Sequence, residues 1–409
     1  MELFHLFSIL IVISALFAYI NYRYLKLTNA IGLMLVSLIF SLMVLLLGSF
    51  FPSIKSIVAE QLSSINFSEL LLEGMLSFML FAGAIHIKYK DLKSEKLTIM
   101  LFSTFSVVIS TFIVGFVSYY LLNYFGLQVS LIHSLLFGAL ISPTDPIAVI
   151  SILKSAGVSK SLETKIAGES LFNDGVAVVV FITILQLTKP GVELSVASVS
   201  LLFGQEALGG ILLGALVGWL GYKLIASIDN YQVEVLITLA IVMGGYTFAH
   251  YIHVSGPLAM VIAGLITGNH GKSYGMSDTT TEYIDKFWEL IDEILNALLF
   301  VLIGLELLII QTNKTVLIVA LILIVIVLIT RFISVLIPSL FIRIQQGITK
   351  QTLLILTWGG LRGGISIALA LSLPSSLSKD IWVTITYVIV CFSILVQGMS
   401  IGKLVKKIS

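Results

Sequence analysis

Between Gly168 and Gly175 the chain reads GESLFNDG and then enters the apolar stretch VAVVVFITILQL. Glu169 and Asp174 thus stand at the mouth of a segment in which a charge is costly. On a helix, Glu169 lies four residues from Asn173 and Ser170 four from Asp174, so two polar stripes run side by side on one flank. The opposite flank, Val176, Val178, Val180 and Phe181, is expected to face lipid or packed helices, which turns Asp174 toward the interior of a bundle. A second acid, Asp145, lies in ISPTDPIAVI. Pro143 and Pro146 each remove a backbone donor there and push the preceding residue out of α geometry, so a break is expected that brings Thr144 and Asp145 toward Asp174. Two carboxylates, a serine hydroxyl, an asparagine carbonyl and freed main-chain carbonyls make an oxygen-rich site suited to a hard cation. The same carboxylates take a proton, because desolvation favours the neutral acid and a bound cation favours the ionised one. Proton and cation then compete for one place, which is the minimal requirement for exchanging them across a barrier.

The elements that must hold these residues are membrane helices. Of 409 residues, 58% are hydrophobic and 11% charged, against about 25% charged in a soluble domain. The expected fold class is an all-α polytopic membrane protein, read as one domain spanning residues 1–409. A formal net charge of +1 without a basic cluster gives no reason to expect a nucleic-acid partner. The single cysteine, Cys391, excludes an intramolecular disulfide and reads as a small core hydrophobe. The first apolar run has its basic residues, Arg23 and Lys26, after it and has no small-residue cleavage site, so it reads as a membrane helix rather than a secretory signal.

Runs of about 20 apolar residues predict thirteen spans, near residues 3–20, 30–51, 69–87, 97–123, 130–153, 166–188, 198–226, 233–252, 254–270, 294–311, 315–343, 351–373 and 380–402. Basic residues check this count, since they collect on the cytoplasmic side. Seventeen fall in the odd-to-even connections and the tail, and four, Lys55, Lys189, Lys314 and Lys379, on the other side. The expected topology places the N-terminus outside and the C-terminus in the cytoplasm. Segment twelve contains TWGGLRGGIS, in which Gly360, Gly363 and their neighbours around Arg362 permit a second break. If residues of about 1–190 and 233–403 are two inverted six-helix repeats joined by a linker helix at about 198–226, the two breaks occupy equivalent positions. Paired breaks of this kind point to a transporter's binding site.

Other charges in or near spans are Glu69, Glu73, Glu206, Glu306 and Arg331. Glu69 and Glu306 sit near expected span ends and read as interfacial, and the glycines after Glu206 suit close helix packing. Arg331 is a candidate partner for Glu169, whereas Arg362 could offset the negative helix ends that a break creates; the residues alone leave the two arginines unassigned. DTTTEYIDKFWELIDEI is amphipathic and is expected to lie on the cytoplasmic surface. The six histidines do not cluster and read as interfacial or packing residues. No nucleophile with a base and no H-E-x-x-H motif supports an intramembrane hydrolase.

SPTDPIAVI, GESLFNDGVAVVVF, SGPLAMVIAGLITGN, FWELIDEILNALLFVLIGLEL and WGGLRGGISIALALSLP resemble, in the same order, motifs of the bacterial NhaP-type and eukaryotic sodium/proton exchangers of the cation:proton antiporter family. The resemblance covers most of the chain from Ser142 to Pro374. It implies a homodimer in the bacterial inner membrane, broken helices five and twelve crossing near the site at Pro143, Pro146, Gly360, Arg362 and Gly363, and no cofactor. It implies Asp174 as the shared carboxylate for proton and Na+ or Li+, with Asn173, Asp145, Thr144 and Ser170 around it, and Glu169 with Arg331 as a structural ion pair. Asn173 before a single aspartate implies electroneutral exchange. One departure stands out. Many relatives carry a glutamate in helix three where this chain has Ala82 within Phe81, Ala82, Gly83 and Ala84, and this keeps K+/H+ exchange open as the alternative, with a cation channel or sensor of the same fold behind it. The chain ends at Ser409, so regulation through the eukaryotic relatives' long tail is not expected.

Overall fold

A computed structural model describes residues 2–51, 66–155, 158–189, 195–272, 275–310, 313–346 and 349–408. The described residues are helical almost throughout. In chain order the helices are α1 (Glu2–Ile20), α2 (Asn29–Phe50), α3 (Phe67–Ile85), α4 (Lys96–Tyr124), α5 (Leu131–Ile141), α6 (Ile147–Ser155), α7 (Lys160–Leu187) and α8 (Val196–Ile225). There follow α9 (Tyr231–Tyr251), α10 (Gly256–Ile266), α11 (Asp278–Glu306), α12 (Lys314–Gln346), α13 (Lys350–Trp358), α14 (Gly364–Leu371) and α15, which runs from Lys379–Phe392 through a π-helical turn into Gly398–Ile408. Nine of the described helices are by length and apolarity able to cross a membrane, and the chain is a multi-pass membrane protein. Lys55, used above to orient the chain, lies outside the described residues.

The helices sort into two packed groups. One gathers α1, α2, α3, α8, α9, α10 and α11; the other gathers α4, α5, α7, α12, α14 and α15. Without water to draw on, the first group closes on small residues and on hydroxyls that reach a neighbouring main chain. Gly210, Gly214 and Gly218 of α8 press against Ser255, Ala259 and Ala263 of the α10 side, so closely that a Cβ at Gly214 would stand 2.8 Å from the Ala259 Cα. Ser41 of α2 donates to the Gly304 carbonyl of α11 at 2.8 Å. In the second group, Pro338 lies inside α12 and cannot bond the Ser334 carbonyl four residues back. Ser106 of α4 supplies the missing donor to that carbonyl at 2.7 Å.

Two expectations need correcting. The amphipathic surface helix and the span at 294–311 are one helix, α11. Part of its apolar face is covered by protein, while Tyr283, Leu290 and Ile294 stay exposed: Ile284 and Trp288 are fully buried, the Phe81 ring lies 4.7 Å from that of Trp288, and Trp288 Nε1 donates to Thr238 at 3.0 Å. A large hydrophobic stripe fits a groove between helices as well as it fits a membrane surface. Second, α7 begins at Lys160, six residues before the expected 166, because Ser159 caps it by accepting from the Leu162 amide. The flank opposite the polar stripes faces packed helices, one of the two surroundings expected for it, where Val178 and Phe181 are buried, as are Ala177 and Val179 beside them. Glu306, the last residue of α11, is buried against protein at that helix end and lines a cavity of about 320 Å³ with Asn66, Lys379, Asp380 and Thr384.

The glycine seam gives a direct test. Leucine at Gly214 must push α8 away from the Ala259 backbone, and overpacking of this sort costs about 1–3 kcal/mol. The thermal midpoint of the detergent-solubilised protein should fall, whereas leucine at Gly204, where a Cβ would meet nothing within 4 Å, should leave it near wild type.

Candidate functional site

Both expected breaks are present. The first separates α5 from α6 over residues 142–146, and the second separates α13 from α14 over residues 359–363. They meet: the Asp145 amide donates to the Leu361 carbonyl at 2.7 Å, a single antiparallel bridge between two unwound segments. Two glycines make room for this. A Cβ at Gly363 would run into the Asp145 carboxylate, and one at Gly360 would stand 2.6 Å from Arg331 Nε.

Each break leaves a helix C-terminus whose last carbonyls have no partner in their own helix. Arg362, buried, donates through Nη1 to the Ser142 and Pro143 carbonyls at the end of α5, the latter at 3.0 Å. Its own amide donates to Ser393 Oγ at 2.8 Å. Arg331, from the middle of α12, donates to the Leu356 carbonyl of α13 through Nε at 3.3 Å and Nη2 at 3.1 Å. Gln397 takes the Trp358 carbonyl at 3.0 Å. Cationic donors there also offset the negative ends of the helix dipoles. Arg331 has a second task, since its Nη1 donates to Glu169 Oε1 at 2.6 Å, and both side chains are buried. The two arginines that the residues alone left unassigned are thereby told apart: Arg331 meets Glu169, and Arg362 meets the break in the other chain segment.

The polar stripes of α7 also separate by partner. Asn173 holds Thr144 twice, accepting from its amide at 3.4 Å and donating to its Oγ1 at 2.8 Å. Ser170 Oγ donates to the Thr144 carbonyl. Asp145 Oδ1 accepts from the Ile147 amide at 2.9 Å, which starts α6. Asp174 is, like Asp145, only partly buried and without an ion pair among the described residues, and it lies near enough to Asp145 for the two carboxylates to act on each other. A cavity of about 10 Å³, the size of one water, lies at the crossing among Thr144, Asp145, Ser170, Glu169 and Arg331. Ala82 of α3 is fully buried. No group of three or more His, Cys, Asp or Glu able to hold a metal ion occurs among the described residues, so any cation here is held by mixed oxygens. The freed main-chain carbonyls expected to line the site already have donors: Arg362 on Ser142 and Pro143, Arg331 on Leu356, Ser170 on Thr144 and the Asp145 amide on Leu361; which donor meets which carbonyl carries no side-chain signature in the sequence.

Paired discontinuous helices crossing inside a membrane bundle define a secondary transporter rather than an enzyme. The chain belongs to the sodium/hydrogen exchanger family: residues 11–407 match the family model described as "Sodium/hydrogen exchanger, transmembrane". It is 50% identical over 403 residues to the Na(+)/H(+) antiporter NhaP of Pseudomonas aeruginosa, covering 97% of this chain and 95% of that one. It is 34% identical over 396 residues to the Na(+)/H(+) antiporter NhaH of Halobacillus dabanensis, covering 94% and 93%. Its fold matches that of the sodium proton antiporter MjNhaP1 of Methanocaldococcus jannaschii with a TM-score of 0.78 at 23% identity, over 100% of this chain and 99% of that one.

The buried pair predicts an asymmetry. Arg331→Met strands the Glu169 charge and should cost about 3–5 kcal/mol, seen as a fall in thermal midpoint and folded yield. Glu169→Gln combined with Arg331→Met removes both charges and should recover much of that loss.

Proposed function

We propose that this exchanger moves Na+ or Li+ against H+ electroneutrally, by alternating access, with cation and proton competing for Asp174. The observation that carries the reading is the contrast at the crossing. Thr144, Ser170 and Asn173 are engaged with one another or with the main chain, Asp145 is tied by its amide and one carboxylate oxygen, and Asp174 is a partly exposed carboxylate with no cationic partner and no role in holding the break. In low dielectric such a group is stable either as the neutral acid or as the carboxylate with a cation bound, so one site serves both loads in turn. Thr144, Ser170 and Asn173 hold the unwound segment at a fixed distance from Asp174, and Asp145 adds negative charge beside it. Glu169 and Arg331 neutralise each other and belong to the frame. The expected inverted repeats, homodimer, bacterial inner-membrane setting and cytoplasmic C-terminus are parts of the same proposal. The NhaP and NhaH relatives, whose names state Na(+)/H(+) antiport, support Na+. Ala82, where many relatives carry a glutamate, favours K+ as the second reading.

Proton movement in proteoliposomes decides between these. Na+ or Li+ should collapse an imposed pH gradient in wild type, and Asp174→Asn should reduce this by at least about a hundredfold. Activity with K+ alone would overturn the ion and keep the mechanism; full activity in Asp174→Asn would overturn both. If one net charge moved per cycle, the membrane potential would contribute about 2.3 kcal/mol per 100 mV. Clamping the potential should therefore leave the rate of an electroneutral exchanger unchanged, and a steep dependence would contradict it.

A further inference from the structure

The cavity beside Glu306 separates the two packed groups of helices. The start of α3 and the end of α11 form one wall of it, and the end of α14 and the start of α15 form the other. α14 leads to it from the second break, since Gly364 to Leu371 is a rise of about 10 Å at about 1.5 Å per residue. In the proposed orientation this end of α11 is the outer one, so the cavity is a mouth on the outer side of the crossing. Much of its lining is apolar, with Phe67 and Ile310 on one wall facing Leu371 and Val383 on the other.

Charge is divided between the walls. Glu306 is only 8% exposed, and its carboxylate has neither an ion pair nor a hydrogen-bond donor among the described residues. The amide that shares its wall is occupied: Asn66 Nδ2 donates to Glu69 at 2.7 Å, and Asn66 Oδ1 accepts from Ser68 at 3.0 Å. The carboxylate is turned to α15, because Lys379 and Tyr387 of that helix both lie close enough to feel its charge. Lys379 stands on the opposite wall and is the one cationic side chain among the described residues that line the cavity. It too has no ion pair among them. Asp380 is exposed and shares the wall of Lys379. A buried carboxylate without a partner is costly, and here the missing partner faces it across an open gap between two bodies.

We propose that Glu306 and Lys379 form the outer gate of this exchanger: when the two groups close on this side, the apolar walls meet, water leaves and the two charges pair across the seam. The pair exists in one access state only, so it biases the two populations by the free energy of its formation. The gate rests on the alternating-access reading and gives the outer-closed state a named contact. Loss of either charge opens the mouth more often. Exchanging the two charges restores closure, since the attraction does not depend on which wall carries which sign.

Two measurements test it. Ile310→Cys, on the wall but outside the pair, reports opening in a Cys391→Ser background. In right-side-out vesicles a membrane-impermeant methanethiosulfonate should label this protein about fivefold faster once Glu306→Gln or Lys379→Met is added. The combined Glu306→Lys and Lys379→Glu exchange should bring the rate back to within about twofold of the starting protein. Either single variant suffices, so failure of one to fold leaves the other to decide. An unchanged or slower rate in the single variants, or an exchanged protein as fast as they are, overturns the gate. In the same variants the half-saturating Na+ concentration at the outer face should fall about threefold, because more of the protein waits with that face open; an unchanged value overturns the gate as well. If wild type moves no protons with any alkali cation, the exchange reading falls, and the labelling comparison still decides whether the pair closes the mouth.

Discussion

Main-chain carbonyls at the end of a helix inside an apolar bundle have no water to satisfy them, and the organisation of this protein follows from how that is solved. Two helices are broken, so two C-terminal ends lie at mid-depth among other helices. An arginine sits on each: Arg362 on the end of α5 and Arg331 on the end of α13. Each guanidinium comes from outside the helix it caps, so each cap is also a tie between segments. Arg362 belongs to the second break and closes the first; Arg331 belongs to α12 and closes the second while neutralising Glu169 of α7. With the Asp145 to Leu361 bond between them, the breaks, α7 and α12 become one connected frame. The proposed exchange carboxylate, Asp174, is the acidic residue of the crossing that takes no part in this frame.

The same economy appears away from the site. Where Pro338 interrupts α12, a serine of α4 takes the freed carbonyl. Where α3 widens into a π-helical turn at Leu70–Met75, the Tyr246 hydroxyl of α9 reaches the Leu72 carbonyl. Irregular backbone is thus found where a neighbouring helix can satisfy it, as a low-dielectric surround requires. The glycines of WGGLRGG serve this end more than they serve flexibility, because they clear space for the Asp145 carboxylate and the Arg331 side chain.

Much of this was legible in the residues. The two prolines of SPTDP and the glycines around Arg362 announce backbone breaks, and the i, i+4 pairs of GESLFNDG announce which side chains share a flank. Partner choice was not legible, since two arginines and two sets of orphan carbonyls can be matched in more than one way until the helices are placed. The start of α7 was hidden because KSLETK is polar, and an apolar run marks where a helix is buried and not where it begins. The continuity of α11 was hidden for a related reason. Its first half is amphipathic because it fills a groove lined by Phe81 and Thr238, and the pattern of a groove helix is the pattern of a surface helix.

Asn173 uses both ends of its amide on one residue, the carbonyl on the Thr144 amide and the nitrogen on the Thr144 hydroxyl. An ionised carboxylate in that position can only accept, so the second bond survives only if the Thr144 hydroxyl turns its own proton toward it. It would hold Thr144 with that hydroxyl as donor in place of acceptor while adding a second negative charge next to Asp174. The formal charge of the site and the direction of the Thr144 hydroxyl are therefore linked. The choice between an amide and an acid at one residue sets the electrical character of the site together with where the Thr144 hydroxyl aims its proton.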